Sequence, residues 1–455
     1  MSHTIAACST APGTGAIGIV RISGPEALDA AGFFFRPKNG LRLQELKQHT
    51  VYYGEFNDGD GNTLDLCNIF YAKGPGTYTG EDIAEIYCHG SKALIAEILR
   101  CLFGYGVRPA EPGEFTKRAF VNGKMDLAEA EAVIDLISSE NSSAVKNAAA
   151  QLKGALSGRL KDIRDRLLNL VSHFYAVVDF PDEGVDPFLL DEAFNALNVS
   201  AGKLEELTES FGRGQLLTEG IPVSILGKPN VGKSSLLNSL CGEDRDIVTP
   251  VAGTTRDVIE ARLKMSDLII RVMDTAGIRE SADEIEKIGI ERAKSALESS
   301  RLAICVFDAS LPLDDNDRKV TGLCREIPAI AAINKSDLKK VINTDGFDSL
   351  FRQVIEVSAV TGDGIKALTD AIIRETRAES GDSWGGIITN VRQENALKEA
   401  LLCLKQAESS LRSGMTPDAV ILDIEEALSK LGEITGETVR EEIVNNIFSR
   451  FCVGK

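Results

Sequence analysis

Histidine is scarce in this 455-residue chain, at only four residues, and the nine cysteines never form a C-x-x-C pair. A zinc centre needs His and Cys at ligand spacing, so none is expected. The cysteine count is odd and the spacing irregular. That argues against a disulfide framework and for reduced thiols in a cytoplasmic protein. Positive charge is also in deficit: 50 Lys and Arg face 68 Asp and Glu, a net charge of −18. Such a surface does not hold nucleic acid indiscriminately through counterion release, though a local basic patch stays open. No apolar run approaches the length of a membrane span. The opening MSHTIAACSTAPG lacks a charged segment followed by a long apolar core, so no signal peptide is expected. What is present is ordinary globular composition, 43% hydrophobic and 26% charged. The length suggests about two to four domains.

The texture changes along the chain. Residues 1–120 mix short strand-like runs (AIGIVRI, NIFYA, IAEIY) with Gly and Pro turns, which predicts a compact α+β domain. From Asp126, apolar residues fall at helical spacing through Leu127, Ala130, Val133, Ile134 and Ile137, then on to Leu170. The run DFPDEG at 179–184 breaks this pattern, and a second helical stretch covers about 190–212. Residues 217–378 alternate strand and helix patterns, as a doubly wound, mostly parallel sheet requires. Helix returns over 379–455. We therefore expect an α/β domain inserted into a discontinuous all-α domain of residues 121–216 and 379–455. Two separate helical appendages are the alternative.

The run GKPNVGKS at 227–234 fits G-x-x-x-x-G-K-[ST], between an apolar strand and a helix start. Gly227 and Gly232 let backbone N–H groups converge on phosphate oxygens. Lys233 supplies charge to the outer phosphates, and Ser234, followed by Ser235, offers a hydroxyl to magnesium at a helix N-terminus. DTAG at 274–277 follows a second apolar strand, placing Asp274 to reach magnesium through water and Gly277 to meet the outer phosphate. NKSD at 334–337 follows a third. A carboxylate at Asp337 can accept two N–H bonds from guanine, a donor pair that adenine lacks, and Asn334 and Lys335 of the same run are expected in the GTP site. Ser358 and Ala359 are a weaker signal for contact with the guanine oxygen. Alone, NKSD reads as a helix cap; in this order, each at a strand end, the motifs read as a GTP site. A threonine in IVTPVAGTTRD, for which Thr255 is favoured, is needed to complete the magnesium shell. The place where small switch GTPases carry a water-orienting glutamine holds Ile278. Glu286 is an acidic candidate nearby, with a solvated helix face as the other reading. Arg256 and Arg279 are open between arginine finger and structural roles.

With their flanks, these motifs closely resemble the bacterial tRNA-modification GTPases of the MnmE (TrmE) family. The resemblance covers nearly the whole chain and rests on APGTGAIGIVRISG, TYTGEDIAEIYCHG, EPGEFTKRAFVNGKMDLAEAEAVIDLI, DFPDEG, GKPNVGKSSLLN, IVTPVAGTTRD, DTAGIRE and IFSRFCVGK. It implies an N-terminal domain, residues 1–120, that binds tetrahydrofolate (a 5-formyl or methylene form) and makes a homodimer. It also implies a Ras-like GTPase domain inserted in the helical one. Its partners would be tRNA and the flavoprotein MnmG (GidA), with which the family adds an aminomethyl-type group (carboxymethylaminomethyl or aminomethyl) to C5 of the wobble uridine. It implies potassium in place of an arginine finger, held by Asn230, Thr249, Val251 and Thr254, and magnesium held by Ser234 and Thr255. Glu286 matches the residue that orients the attacking water. Arg21, Glu85, Lys124 and Lys455 match the folate site, and Cys452 matches a residue needed for modification.

Overall fold

The computed structural model describes residues 3–179, 187–242, 260–274, 297–377 and 386–455. Contacts divide the chain into two compact units: Met1–Ile134 with Gln151–Ser200 and Glu399–Lys455, and Asp135–Ala150 with Ala201–Lys398.

The first unit contains strands β1 (Ile5–Cys8), β2 (Ile17–Ser23), β3 (Phe35–Pro37), β4 (Thr50–Asn57), β5 (Thr63–Ala72), β6 (Ile83–His89) and β7 (Arg108–Pro109). They form one sheet in the order β3-β4-β5-β6-β2-β1-β7. Neighbours are antiparallel except β1 and β7. The period-two alternation of strands decides its faces. Ala84, Ile86 and Cys88 of β6 are buried, and the intervening Glu85 and Tyr87 belong to the other face. Helices α1 (Ala27–Phe34) and α2 (Lys92–Tyr105) cover the buried face, closing a core with Val20, Ile22, Phe34, Ile69, Ile98 and Leu102. The other face keeps Ile17, Val51, Tyr53 and Leu66 between 46% and 62% exposed.

The same unit holds α3 (Glu114–Val121), most of α4 (Leu127–Ser138), α6 (Ala155–Asp179), α12 (Pro417–Thr435) and α13 (Glu441–Ser449). Leu156, Leu160, Ile163, Leu167, Leu170 and Phe174 recur every three or four residues on α6 and are buried. They pack against α12, whose own stripe is Val420, Ile421, Ile424, Ala427 and Leu431. Leu167 is fully buried, so Leu167→Ala is expected to cost about 3 kcal/mol. A lowered urea midpoint in circular dichroism checks this. Phe448 and Phe451, at and just beyond the end of α13, pack on Leu127, Ala130 and Val133 of α4.

The second unit carries most of α5 (Ser142–Leu152) and a six-stranded sheet: β8 (Ile221–Leu226), β9 (Glu260–Met265), β10 (Leu268–Asp274), β11 (Leu302–Asp308), β12 (Ala329–Asn334) and β13 (Gln353–Glu356). Four of the described helices have residues in both units: α4, α5, α7 (Pro187–Glu219) and α11 (Val391–Arg412). The order is β13-β12-β11-β8-β10-β9, parallel throughout except for the β9–β10 hairpin. All six residues of β8 are buried, as a central parallel strand requires. Helices α8 (Lys233–Cys241), α9 (Asp315–Leu323) and α10 (Ile365–Arg377) follow β8, β11 and β13. The chain leaves β8 toward β10 on one side and β11 on the other, so the strand order reverses beside β8. Open α/β sheets bind ligands at the carboxyl ends of the strands at such a reversal.

Candidate functional site

The loop at 227–232 lies at that point, between the end of β8 and the start of α8. Gly232 is the N-cap of α8 with φ +95°, and a Cβ there would lie 2.3 Å from Asn334 Nδ2. Only glycine fits both the backbone and the space. Asn230 and Lys335 have φ of +64° and +62°, two of four non-glycine residues with positive φ among those described. Backbone strain of this kind persists where the surroundings over-determine it, and it clusters at functional sites. Here the surroundings are visible. Lys335 Nζ donates to Asn230 O at 2.9 Å and to Asp308 Oδ2 at 2.6 Å. The Asn334 side chain, 2% exposed, donates to Val231 O at 2.8 Å and accepts from Ala359 N–H at 3.1 Å. Lys233 Nζ donates to Gly227 O at 2.6 Å and Lys228 O at 2.9 Å, which sets its ammonium against the loop.

Asp337 is exposed, and its Oδ1 accepts from Ser358 Oγ at 2.6 Å. That bond fixes the orientation of the carboxylate. Asp308, missed in the sequence, is buried at the end of β11. Burial raises its pKa, but bonds from Lys335 and from the N–H and hydroxyl of Ser310 outweigh this and hold it below the ordinary carboxylate range. It therefore stays charged opposite Lys335. Lys228 stands at an unspecified position of the motif, and its Nζ donates to Asp314 Oδ2 at 2.8 Å and Asp317 Oδ2 at 2.7 Å.

The remaining expected residues separate into two groups. Ser234 and Ser235 are exposed in the first turn of α8, and Asp274 closes β10 in register with Ile225 of β8. Thr249, Val251, Thr254, Thr255, Gly277 and Glu286 lie outside the described residues.

In the first unit, Arg21 Nε lies 2.7 Å from Glu85 Oε1, and Tyr87 donates to Glu85 Oε2 at 2.7 Å. Burial and that bond push the Tyr87 hydroxyl up to about 12, so it remains a donor. The Arg21 guanidinium lies 5.5 Å from the Tyr78 ring and 5.6 Å from the Phe115 ring. Phe115 N–H in turn donates to Lys455 O at 3.2 Å, joining the chain end to the surroundings of Arg21. Lys124 Nζ donates to Pro75 O at 2.7 Å. The last residues are docked by backbone: Val453 bridges to Pro112, Gly113 N–H reaches Cys452 O at 3.4 Å, and Ser9 Oγ donates to Gly454 O at 3.0 Å. Gly454 has φ +98°, and a Cβ there would lie 2.1 Å from Cys8 O. Cys452 itself is exposed, not the small buried hydrophobe that a structural role would make it.

A glycine loop at the sheet's reversal point, a lysine against it and an oriented carboxylate opposite together define a P-loop protein with the residue set for guanine nucleotide. The family described as "MnmE helical domain" matches residues 127–452, and "GTP-binding protein TrmE N-terminus" matches residues 4–124. The tRNA modification GTPase MnmE of Alkaliphilus oremlandii is 40% identical over 461 residues, with 100% of both chains covered. That of Acetivibrio thermocellus is 40% identical over 456 residues, covering 99% of each. The chain belongs to the MnmE (TrmE) family. Among solved structures, the G domain of the T. maritima FeoB iron transporter is 24% identical, covering 34% of this chain and 98% of its own, at a TM-score of 0.27. Aquifex aeolicus Era bound to GDP·AlF4− is 25% identical, covering 40% and 65%, also at 0.27.

Proposed function

We propose that this member of a family of tRNA modification GTPases hydrolyses GTP with potassium as activating cation. Together with a flavoprotein of the MnmG type it modifies C5 of the wobble uridine of certain tRNAs. The observation that carries the GTPase assignment is the single site at which Lys233, Asn334, Lys335, Asp337 and Ser358 converge, within a chain about 40% identical to its relatives over full length.

Ser234 and Thr255 would hold magnesium. Asn230 would hold potassium together with Thr249, Val251 and Thr254. A monovalent cation there supplies the positive charge that an arginine finger gives other GTPases. Two observations favour a cation at Asn230: its exposed, left-handed backbone is pinned through its carbonyl by Lys335, and Ile278 leaves no glutamine to orient water. Glu286 takes the water-orienting role in this reading. GTP turnover is expected to be at least about tenfold faster in potassium than in sodium at equal ionic strength, a transition-state effect of roughly 1.4 kcal/mol. Equal rates would remove potassium from the mechanism.

The first unit fits a folate. The Glu85 carboxylate, oriented by Arg21 and Tyr87, suits the amine and ring N–H edge of a pterin, while Lys124 and Lys455 suit the carboxylates of the tail. The group, when bound, supplies the one-carbon unit. The exposed Ile17, Val51, Tyr53 and Leu66 lie on the same sheet face as Arg21 and Glu85 and support a homodimer through that face.

A further inference from the structure

We propose that Lys228, through a shielded ion pair with Asp317 and a second, more open one with Asp314, is a positioning residue that presets the phosphate loop for nucleotide. The pair is a poor candidate for a decorative surface contact. The Lys228 side chain is 11% exposed and that of Asp317 is 4% exposed, so water screens this contact far less than an open one. Burial alone lowers the Lys228 pKa, but its bonds to Asp314 and Asp317 outweigh this and raise it, while the Lys228 bond holds Asp314 down at about 2.

The partners are fixed in their turn. Asp314 caps α9, its Oδ1 accepting from Asn316 N–H at 2.9 Å and Asp317 N–H at 3.0 Å. Asp317 Oδ2 accepts from Asp314 N–H at 3.1 Å. Lys228 is thus tied to a capped helix start, a rigid point of the same unit. Its own carbonyl accepts from Lys233 Nζ, so holding Lys228 also holds the acceptor against which the phosphate-reading ammonium rests. The far shoulder of the loop is held separately, with Asn230 O accepting from Lys335 and Val231 O from Asn334. A six-residue glycine loop gripped at both shoulders loses little freedom when phosphate binds. Released at one shoulder, it must be ordered by the nucleotide, which weakens binding without altering chemistry once GTP is seated.

The inference rests on the reading of this loop as a GTP cradle, and the experiment separates the two. Full-length wild type, Lys228→Ala, Lys228→Arg, Asp317→Asn and the double variant Lys228→Ala/Asp317→Asn are compared by GTP turnover in potassium buffer, by the dissociation rate of a fluorescent GDP and by thermal midpoint. Lys228→Ala is expected to raise KM for GTP and speed GDP release by about tenfold, with kcat within about twofold. Lys228→Arg restores both to within about twofold. Asp317→Asn moves both readouts in the same direction but by less, since Asp314 remains, and the double variant is no worse than Lys228→Ala, because the lysine is the shared member of both contacts. Unchanged KM and GDP release in Lys228→Ala overturn the proposal. So does a loss that tracks the thermal midpoint and is not restored by arginine, or one that adds in the double variant. No GTP turnover by wild type in any buffer sinks the GTP-cradle reading instead.

Discussion

Asp337→Asn is expected to weaken GTP binding by about a thousandfold and, in the same step, to admit xanthosine triphosphate. In the proposed site the Asp337 carboxylate would offer two acceptors to the two N–H groups on the guanine edge. Each charge-assisted hydrogen bond of this kind contributes about 1.5–3 kcal/mol, and leaving the guanine donors unpaired adds to the loss. Asparagine turns one acceptor into an NH₂ donor, which opposes the guanine amine but matches the carbonyl that xanthine carries at that position. Ser358 makes the switch specific: its hydroxyl accepts or donates, so it holds the new amide in the orientation in which it now holds the carboxylate, 2.6 Å away. The measurement is turnover of both nucleotides by wild type and variant, with thermal midpoints as control. A variant that loses GTP without gaining xanthosine triphosphate would mean that Asp337 supports the loop and does not read the base.

The phosphate loop was legible because its chemistry is contiguous. GKPNVGKS puts the glycines, the lysine and the hydroxyl within eight residues, and IPVSIL before it reads as a buried strand, which it is. NKSD was legible for the same reason, at the end of the apolar run of β12. The clamp on Lys228 was not, since its partners lie 86 and 89 residues away and Asp314 and Asp317 read locally as a helix cap, a role they also fill. Asp308 was likewise an ordinary strand-end residue until the fold set Lys335 against it. In the first unit three strand runs were readable, but β3 and β7 span three and two residues, too short to carry a period. Nothing local specifies that β1 pairs with both β2 and β7, because strand order is fixed by the helices covering one face. Arg21 and Glu85 are 64 residues apart and became a pair only through the register of β2 and β6. The importance of the last five residues came from family resemblance. The reason for Gly454 came from the backbone, where a side chain would strike Cys8 O.

Cys452→Ser is expected to leave GTP turnover within about twofold while reducing wobble-uridine modification more than about a hundredfold. The docking of the tail explains why the two activities should part. Cys452 is held by its carbonyl, which accepts from Gly113 and Lys455, while its side chain is exposed. Serine keeps those backbone bonds and nearly the same volume, so a loss of product reports on the sulfur and not on the position of the tail. A thiol presents a far better nucleophile than a hydroxyl at neutral pH, which is the property the substitution removes. Gly454→Ala makes the complementary change. It leaves the sulfur in place but imposes a positive-φ strain of about 1–3 kcal/mol and a clash with Cys8 O that only displacement of the tail relieves. Modification is read as modified nucleoside per tRNA in a mixture with the proposed partner, a flavoprotein of the MnmG type, GTP and a one-carbon folate. If both variants fail while GTP turnover persists, both the placement of the tail and its sulfur serve the modification. If Cys452→Ser modifies tRNA normally while Gly454→Ala does not, the tail acts as a structural latch alone, and the thiol takes no part in the chemistry.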